Sequence, residues 1–242
     1  MLPQTITCSI NSVDSYNQDT RKILLDIPNG RNFNFRAGQY LEVVLPNKKC
    51  PFSIANSPSL ENQIELHIRP TPESEDSVAI EKILDNADKI QIEGPFGDCF
   101  IDAVPKNTLI LIAASTGISQ MKSIVEYLEP TGFVNPVYLY WGVVSESDLY
   151  LSELCEFWKS KYRNFHFVPI VSEPSSSPDW KGRTGLVGKE ALGDFEDVSN
   201  VTVYVSGGSG MVYATLDAFT ERGMPEVNMH SDIFSFSPRS KS

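Results

Sequence analysis

The first hundred residues alternate between short apolar runs and turn-forming residues. Most of these runs follow the two-residue period of a β-strand or are rich in β-branched side chains. The pattern predicts six strands, at residues 5–13, 22–27, 40–45, 52–55, 63–68 and 89–93. One helix interrupts them, where four apolar residues recur at helical spacing: Ile80, Ile83, Leu84 and Ala87. Six short strands with one helix predict a small closed antiparallel β-barrel, since closure leaves no exposed edge.

The pattern changes after Pro105, where strands alternate with helices. The run 109–114 is apolar throughout, as expected of a strand buried on both faces. Further strands are predicted at residues 137–141, 165–171 and 201–205. Apolar stripes that begin at Met121, Leu151 and Val212 predict three helices. This alternation indicates an α/β domain with a parallel sheet and helices on both faces.

The two patterns divide the chain into two domains. Its 242 residues are enough for two domains of roughly 100–140 residues each. We expect the barrel to occupy residues 1–100 and the α/β domain residues 106–242.

The charge and the cysteine pattern exclude several classes of protein. A formal net charge of −11 disfavours nucleic acid and anionic membranes as partners. Four cysteines and three histidines are dispersed along the chain, so no metal site is expected. Residues 1–10 lack the basic and apolar regions of a signal peptide, and no apolar run is long enough to span a bilayer. We therefore expect a cytoplasmic protein.

Two turns between a strand and a helix carry small residues. They are Ala114-Ser115-Thr116-Gly117-Ile118-Ser119 and Ser206-Gly207-Gly208-Ser209-Gly210-Met211. At the carboxyl end of a parallel strand, a glycine lets the backbone approach a phosphate, and the helix amino terminus presents free N–H groups. Tight packing of helix on sheet is the alternative interpretation of each turn. Two such turns in one sheet favour a nucleotide ligand.

The order of the motifs resembles the ferredoxin–NADP reductase superfamily, and within it the bacterial NAD(P)H:flavin oxidoreductases. The segments that carry the resemblance are residues 51–55, 64–68, 94–97, 140–142, 149–150, 168–171, 180–185 and 232–236. Each is short, but their order along nearly the whole chain is specific. The resemblance implies a flavin-binding barrel followed by a domain that binds a nicotinamide dinucleotide.

That resemblance also implies a reaction and a set of site residues. Hydride would pass from C4 of NADH or NADPH to N5 of a flavin (riboflavin, FMN or FAD), and Ser53 would be catalytic through a hydrogen bond near N5. The cofactor-binding residues would be Cys50, Pro51, Phe52, Ser53, His67, Ile68, Ser115, Thr116, Gly117, Gly142, Ser206, Gly207, Gly208, Met211 and Phe234. A structural alternative for Ser53 is that its hydroxyl only satisfies the end of a strand.

Three motifs depart from the family pattern. Cys50 stands where the family has an arginine that anchors the flavin phosphate, so we expect an exchangeable flavin. The usual Gly-Gly-Thr-Gly begins here with Ala114 and Ser115, and Ser206 replaces a common cysteine.

Residues 143–147 contain no arginine that could bind the 2′-phosphate of NADPH, and the carboxylate of Glu146 would repel that phosphate. The segment therefore favours NADH.

Two other functions remain open on the sequence alone. A reductase component would retain its flavin and pass electrons to a separate oxygenase or iron–sulfur partner. A non-catalytic regulator would bind nucleotide or flavin without turnover. A flavin reductase would instead release reduced flavin to an acceptor enzyme.

Overall fold

The computed structural model describes residues 2–71 and 73–239, which form two compact units. The first unit contains the residues up to 102 together with 122–127. The second contains residues 103–121 and those from 128 onwards.

The first unit is built on six antiparallel strands and one helix. In chain order these are β1 (Gln4–Ser15), β2 (Arg21–Asp26), β3 (Tyr40–Val44), β4 (Lys49–Ser53), β5 (Gln63–Ile68), α1 (Glu75–Asn86) and β6 (Lys89–Phe96). The sheet order is β4-β3-β6-β1-β2-β5. The two end strands meet just beyond β4, where Ala55 N donates to Glu65 O of β5 at 2.8 Å. The predicted antiparallel barrel is confirmed.

Strand β4 begins earlier than the sequence predicts, and it contains a proline. Pro51 lies opposite Glu42 in the ladder with β3. Because β4 pairs with β3 alone, a proline can occupy it without removing a ladder hydrogen bond on its other side. Side chains of Leu41, Val43 and Cys50 turn into the barrel core.

The second unit is a parallel sheet with helices. Its elements are β7 (Thr108–Ala114), α2 (Ile118–Leu128), β8 (Val137–Val143), α3 (Ser152–Lys161), β9 (Phe165–Val171), β10 (Arg183–Thr184), α4 (Val187–Gly193), β11 (Val201–Ser206), α5 (Ser209–Glu221), β12 (Met229–His230) and α6 (Ile233–Phe236). The sheet order is β10-β9-β8-β7-β11-β12, and every pair is parallel. This confirms the α/β architecture.

The sequence pattern missed the shortest elements. Strands β10 and β12 have two residues each, and α6 has four, which is too short for a hydrophobic period to show. Within the described part of the chain, no helix combines the length and apolar character needed to cross a membrane.

Candidate functional site

The β7–α2 turn holds its first residue in an unusual backbone conformation. Ser115 has φ of 50°, in the left-handed region that favours glycine. The indole Nε1 of Trp141 donates to the carbonyl oxygen of Ser115 at 2.9 Å and fixes the peptide. The conformation explains why the family pattern has glycine at this position.

A glycine at position 115 should therefore stabilise the protein. We expect Ser115→Gly to raise the free energy of unfolding by about 0.5–1 kcal/mol, because relief of the left-handed strain exceeds the added entropy of the unfolded chain. Denaturant unfolding measures the change. Ser209→Gly, in the first turn of α5 with an ordinary φ, is the matched control and should destabilise. An equal loss of stability in both variants would contradict the strain argument.

Gly117 and Gly207 serve packing within the protein. A Cβ at position 117 would collide with the carbonyl oxygen of Ser206, so the β7–α2 and β11–α5 turns are in direct backbone contact. A Cβ at position 207 would collide with the Met211 side chain and lie 2.9 Å from the Cβ of Ala114. Both glycines are thus required by the close approach of the two turns.

Gly208 differs from these two glycines. It precedes α5 with φ of −65° and ψ of 149°, a conformation open to any residue. A Cβ placed here meets no atom within 4 Å. The backbone at Gly208 therefore faces open space at the amino terminus of a 13-residue helix.

Three hydroxyls around these turns have no hydrogen-bond partner among the described residues. Thr116 and Ser206 are half-buried and lie in the two turns themselves. Ser119, in the first turn of α2, is 2% exposed, and its Oγ is buried without a partner. A buried hydroxyl without a partner is costly unless a ligand or water satisfies it. These three hydroxyls can thus donate hydrogen bonds to a polar ligand at the carboxyl edge of the sheet.

A cavity of about 450 Å³ opens beside the same edge of the sheet. Its lining includes Ser115, Gly142 and Met211, together with residues from α4 and α5. Gly142 also packs against α4, since a Cβ there would lie 2.6 Å from the Cβ of Val187. The exposed Lys189 lines the cavity and forms no ion pair with any of the described residues. The cavity is mainly apolar, as expected of a site for a heterocycle.

Helix α6 places Phe234 next to α5. The ring of Phe234 lies 5.6 Å from the ring of Tyr213, and Gln120 Nε2 donates to Asp232 Oδ2 at 3.1 Å. The second unit therefore brings the predicted residues from two turns and from the end of β8 to one edge of the sheet, with Phe234 held nearby by α2 and α5.

In the first unit, Ser53 ends β4 with its side chain half-buried. Its hydroxyl has no hydrogen-bond partner in residues 2–71 and 73–239, so the strand-end alternative gains no support. Tyr40 lies opposite Ser53 in the ladder, and its ring stacks on Phe96 at 5.6 Å. Pro51 is exposed on the same strand.

The remaining predicted residues of this unit turn inward. Cys50 and Ile68 belong to the buried barrel core, and Phe52 packs against it. The imidazole of His67 is fully buried on the other face of β5. These residues can offer a ligand mainly their backbone.

Glu65 ties His67 into a buried polar cluster that the sequence analysis missed. The Oε1 atom of Glu65 lies 2.7 Å from His67 Nε2 and accepts from Tyr16 OH at 3.1 Å, and its Oε2 lies 3.2 Å from Lys122 Nζ. Burial opposes ionisation of Glu65, but the His67 hydrogen bond and the Lys122 charge outweigh it and lower its pKa to about 2. Burial lowers the pKa of His67, so neutral His67 donates to the carboxylate.

One signal in the sequence could have found this cluster. Lys122 follows Ile118 by four residues and therefore lies on the buried face of α2, beside Met121 and Val125. A lysine within an apolar stripe is rarely buried without a partner. The pattern alone, however, does not say which acid that partner is.

The charges beside Cys50 are already paired. Lys48 forms an ion pair with Asp76 of α1. Burial raises the pKa of the Cys50 thiol, and the nearby Asp76 carboxylate raises it further. Among the described residues, no group of three or more His, Cys, Asp or Glu side chains is placed to hold a metal ion.

Comparison with known proteins agrees with this geometry. Residues 7–101 match the family described as oxidoreductase FAD-binding domain, and residues 111–217 match oxidoreductase NAD-binding domain. The chain is 34% identical to the NAD(P)H-flavin reductase of Vibrio harveyi, with 96% of this chain and 99% of that protein covered. It is 32% identical to the CDP-6-deoxy-L-threo-D-glycero-4-hexulose-3-dehydrase reductase of Yersinia pestis, with 96% and 69% covered.

A solved structure shows the same architecture. The Amycolatopsis reductase GcoB is similar with a TM-score of 0.84 and 26% identity, and the match covers 94% of this chain and 69% of that one. Fold, turns and matches together define an oxidoreductase with an FAD-binding domain followed by an NAD-binding domain. The chain belongs to the ferredoxin–NADP reductase family, among whose members are the NAD(P)H-flavin reductases.

Proposed function

We propose that this protein is an NAD(P)H:flavin oxidoreductase that takes flavin as a substrate and releases it reduced. The two bound cofactors supply the hydride transfer, from nicotinamide C4 to flavin N5. The protein supplies binding and orientation, and no side chain has to act as acid or base in that step. Residues 50–53, with the backbone of His67 and Ile68, would hold the flavin in the barrel unit.

The second unit would hold the dinucleotide at the carboxyl edge of its sheet. The unpartnered hydroxyls of Thr116 and Ser206 and the buried hydroxyl of Ser119 fit a polar, phosphate-bearing ligand at the start of α2. Gly208 leaves its backbone open to that ligand. The apolar cavity lined by Gly142 and Met211 fits the heterocyclic part of the same molecule.

Within the barrel unit, the Ser53 hydroxyl would donate to the flavin near N5. It stands half-buried at the strand end with no competing partner among the described side chains. A hydrogen bond donated to N5 of the oxidised ring would draw electron density from that atom and so favour transfer of the hydride to it. Ser53 is the side chain to which we assign a catalytic role.

The proposal that flavin exchanges with the free flavin in solution rests on the charges around Cys50. A flavin phosphate needs a cation, and arginine suits it because its planar fork bonds two oxygens at once. Cys50 offers no charge, Lys48 is paired with Asp76, and Glu42 adds a further negative charge. Riboflavin, which has no phosphate, should therefore bind about as well as FMN.

Steady-state NADH oxidation with riboflavin, FMN and FAD in turn tests the function. We expect a colourless purified protein that reduces all three flavins. A yellow protein with stoichiometric flavin would instead favour the reductase component that feeds a separate partner. If the protein oxidises NADH with none of the three flavins, the remaining alternative is a non-catalytic regulator that binds nucleotide or flavin.

Removal of the carboxylate beside Cys50 should make the protein discriminate between flavins. We expect Asp76→Asn to tighten FMN and FAD by about 3- to 10-fold and to leave riboflavin unchanged, because it frees Lys48 for the phosphate. Isothermal titration with the three flavins measures the effect. Asp85→Asn removes a carboxylate from the same helix where it pairs with Arg21, and it should change none of the affinities. Equal tightening of riboflavin would show that charge at this place does not act on the phosphate.

The proposal also covers the choice between NADH and NADPH, the acceptor of the reduced flavin and the compartment. Glu146 is exposed and does not line the cavity, whereas Lys189 does, so we retain both NADH and NADPH as substrates. The reduced flavin would pass to an acceptor enzyme. Four free thiols, at Cys8, Cys50, Cys99 and Cys155, fit a reducing compartment such as the cytoplasm.

A further inference from the structure

One face of α2 covers the connection that follows β4. Lys122 Nζ donates to Ala55 O at 3.3 Å, and Ser123 Oγ donates to Asn56 O at 2.7 Å. Glu126 accepts from the backbone N–H of Ser57 at 3.0 Å. Three side chains of one helix face thus hold three successive residues of the chain, all within the first unit.

Those successive residues include the place where the barrel closes. We call Ala55, Asn56 and Glu65 the barrel seam. Ala55 N donates to Glu65 O at 2.8 Å, and Asn56 Oδ1 accepts from Glu65 N at 2.8 Å. The seam joins the end of β4 to β5, and Ser53 lies only two residues before it.

Lys122 binds both sides of the seam. Its side chain is 6% exposed, and its ammonium donates to Ala55 O and to Glu65 Oε2 at 3.2 Å and forms an ion pair with Glu126 Oε1 at 2.7 Å. Two hydrogen bonds and a second carboxylate therefore hold the ammonium in place. A non-polar contact of the same size could fill the volume but could not hold a carbonyl and a carboxylate at fixed positions.

We propose that Lys122 is a positioning residue for the flavin, because it fixes the barrel seam directly beyond Ser53. Its hydrogen bonds and ion pairs join it to Ala55, Glu65 and Glu126, all within the first unit. By holding the Ala55 carbonyl, it limits the positions that the end of β4 can adopt, and with them the position of the Ser53 hydroxyl. The proposal rests on the flavin reductase function, and flavin affinity tests it without turnover.

A purely structural role for the ion pair makes a different prediction. Loss of Lys122 alone leaves Glu65 and Glu126 together without their cation, which is destabilising. Neutralising Glu65 as well removes much of that cost, since a buried pair can be replaced with little loss of stability. His67, Tyr16 and Lys22 also face this carboxylate and remain in all variants.

The test compares Lys122→Met with the double variant Lys122→Met/Glu65→Gln. We expect the single variant to melt at a lower temperature and to bind riboflavin about tenfold more weakly by fluorescence titration, as for the loss of one positioned hydrogen bond. In the double variant the melting temperature should recover, while riboflavin affinity should stay about tenfold weaker. NADH affinity should be unchanged in both. Lys159→Met, on the exposed surface of α3, is the control.

Two results would overturn the assignment. One is riboflavin affinity that recovers together with stability in the double variant, and the other is unaltered affinity in a folded single variant. If the single variant does not fold, the riboflavin affinity of the double variant decides between a positioning role and a purely structural role for Lys122. Normal riboflavin binding without NADH oxidation by the wild type would contradict the proposed function and leave the positioning test intact.

Discussion

We expect Ser53→Ala to fold normally and to reduce flavin about 10- to 1000-fold more slowly, as for the loss of one preorganised hydrogen bond in a transition state. The reason is local. The Ser53 hydroxyl stands at the end of β4 with no partner in the described structure, so its removal leaves no buried group unsatisfied. The substitution should therefore lower the rate of flavin reduction and leave the free energy of unfolding nearly unchanged.

Single-turnover reduction of riboflavin under saturating NADH measures this rate directly. The affinity for NADH should change little, because the hydroxyl lies in the flavin unit. Ser9→Ala is the matched control, because Ser9 is exposed on β1 and its hydroxyl has no partner among the described residues. A single-turnover rate equal to that of the wild type would remove Ser53 from the mechanism.

The second large effect concerns the open glycine before α5. We expect Gly208→Val to raise the KM for NADH by about 10- to 100-fold, because a branched side chain would occupy the space that the dinucleotide needs. The fold should tolerate it, since a Cβ at this position meets no atom within 4 Å and φ is −65°. Flavin affinity should be unchanged.

Two other glycines serve as controls for this variant. Gly193, at the end of α4, is equally open, so Gly193→Val should leave the KM for NADH unchanged. Gly117→Ala should instead lower stability, because its Cβ would collide with the carbonyl oxygen of Ser206. If the kinetics of a folded Gly208→Val enzyme with NADH equal those of the wild type, the dinucleotide lies elsewhere.

The two glycine-bearing turns show how far sequence reasoning could go. Their position after buried strands predicted that they would meet at one edge of the sheet, and the parallel pairing of β7 with β11 brings them there. The sequence assigned one role, approach of a phosphate, to every glycine in them. The structure separates packing glycines, Gly117 and Gly207, from the open Gly208, because that difference depends on atoms distant in the chain.

Strand β5 also shows that a sequence pattern does not predict which distant side chains cover a strand. Apolar and polar residues alternate along it, which is typical of one buried and one exposed face. Both faces are in fact buried, because Lys122 and Tyr16 cover Glu65 and His67. No local pattern could pair Glu65 with a lysine 57 residues away.

Properties with a local period or a fixed order could be predicted from the sequence alone. The two-residue period of the first half specified an antiparallel barrel, and the strand–helix alternation of the second half specified a parallel sheet. The order of short motifs specified the family. Contacts between distant segments became known only from the folded structure: closure of the barrel at Ala55 and Glu65, the burial of Lys122, and the pairing of Lys48 with Asp76. Side-chain partners depend on three-dimensional proximity, and neither periodicity nor composition records it.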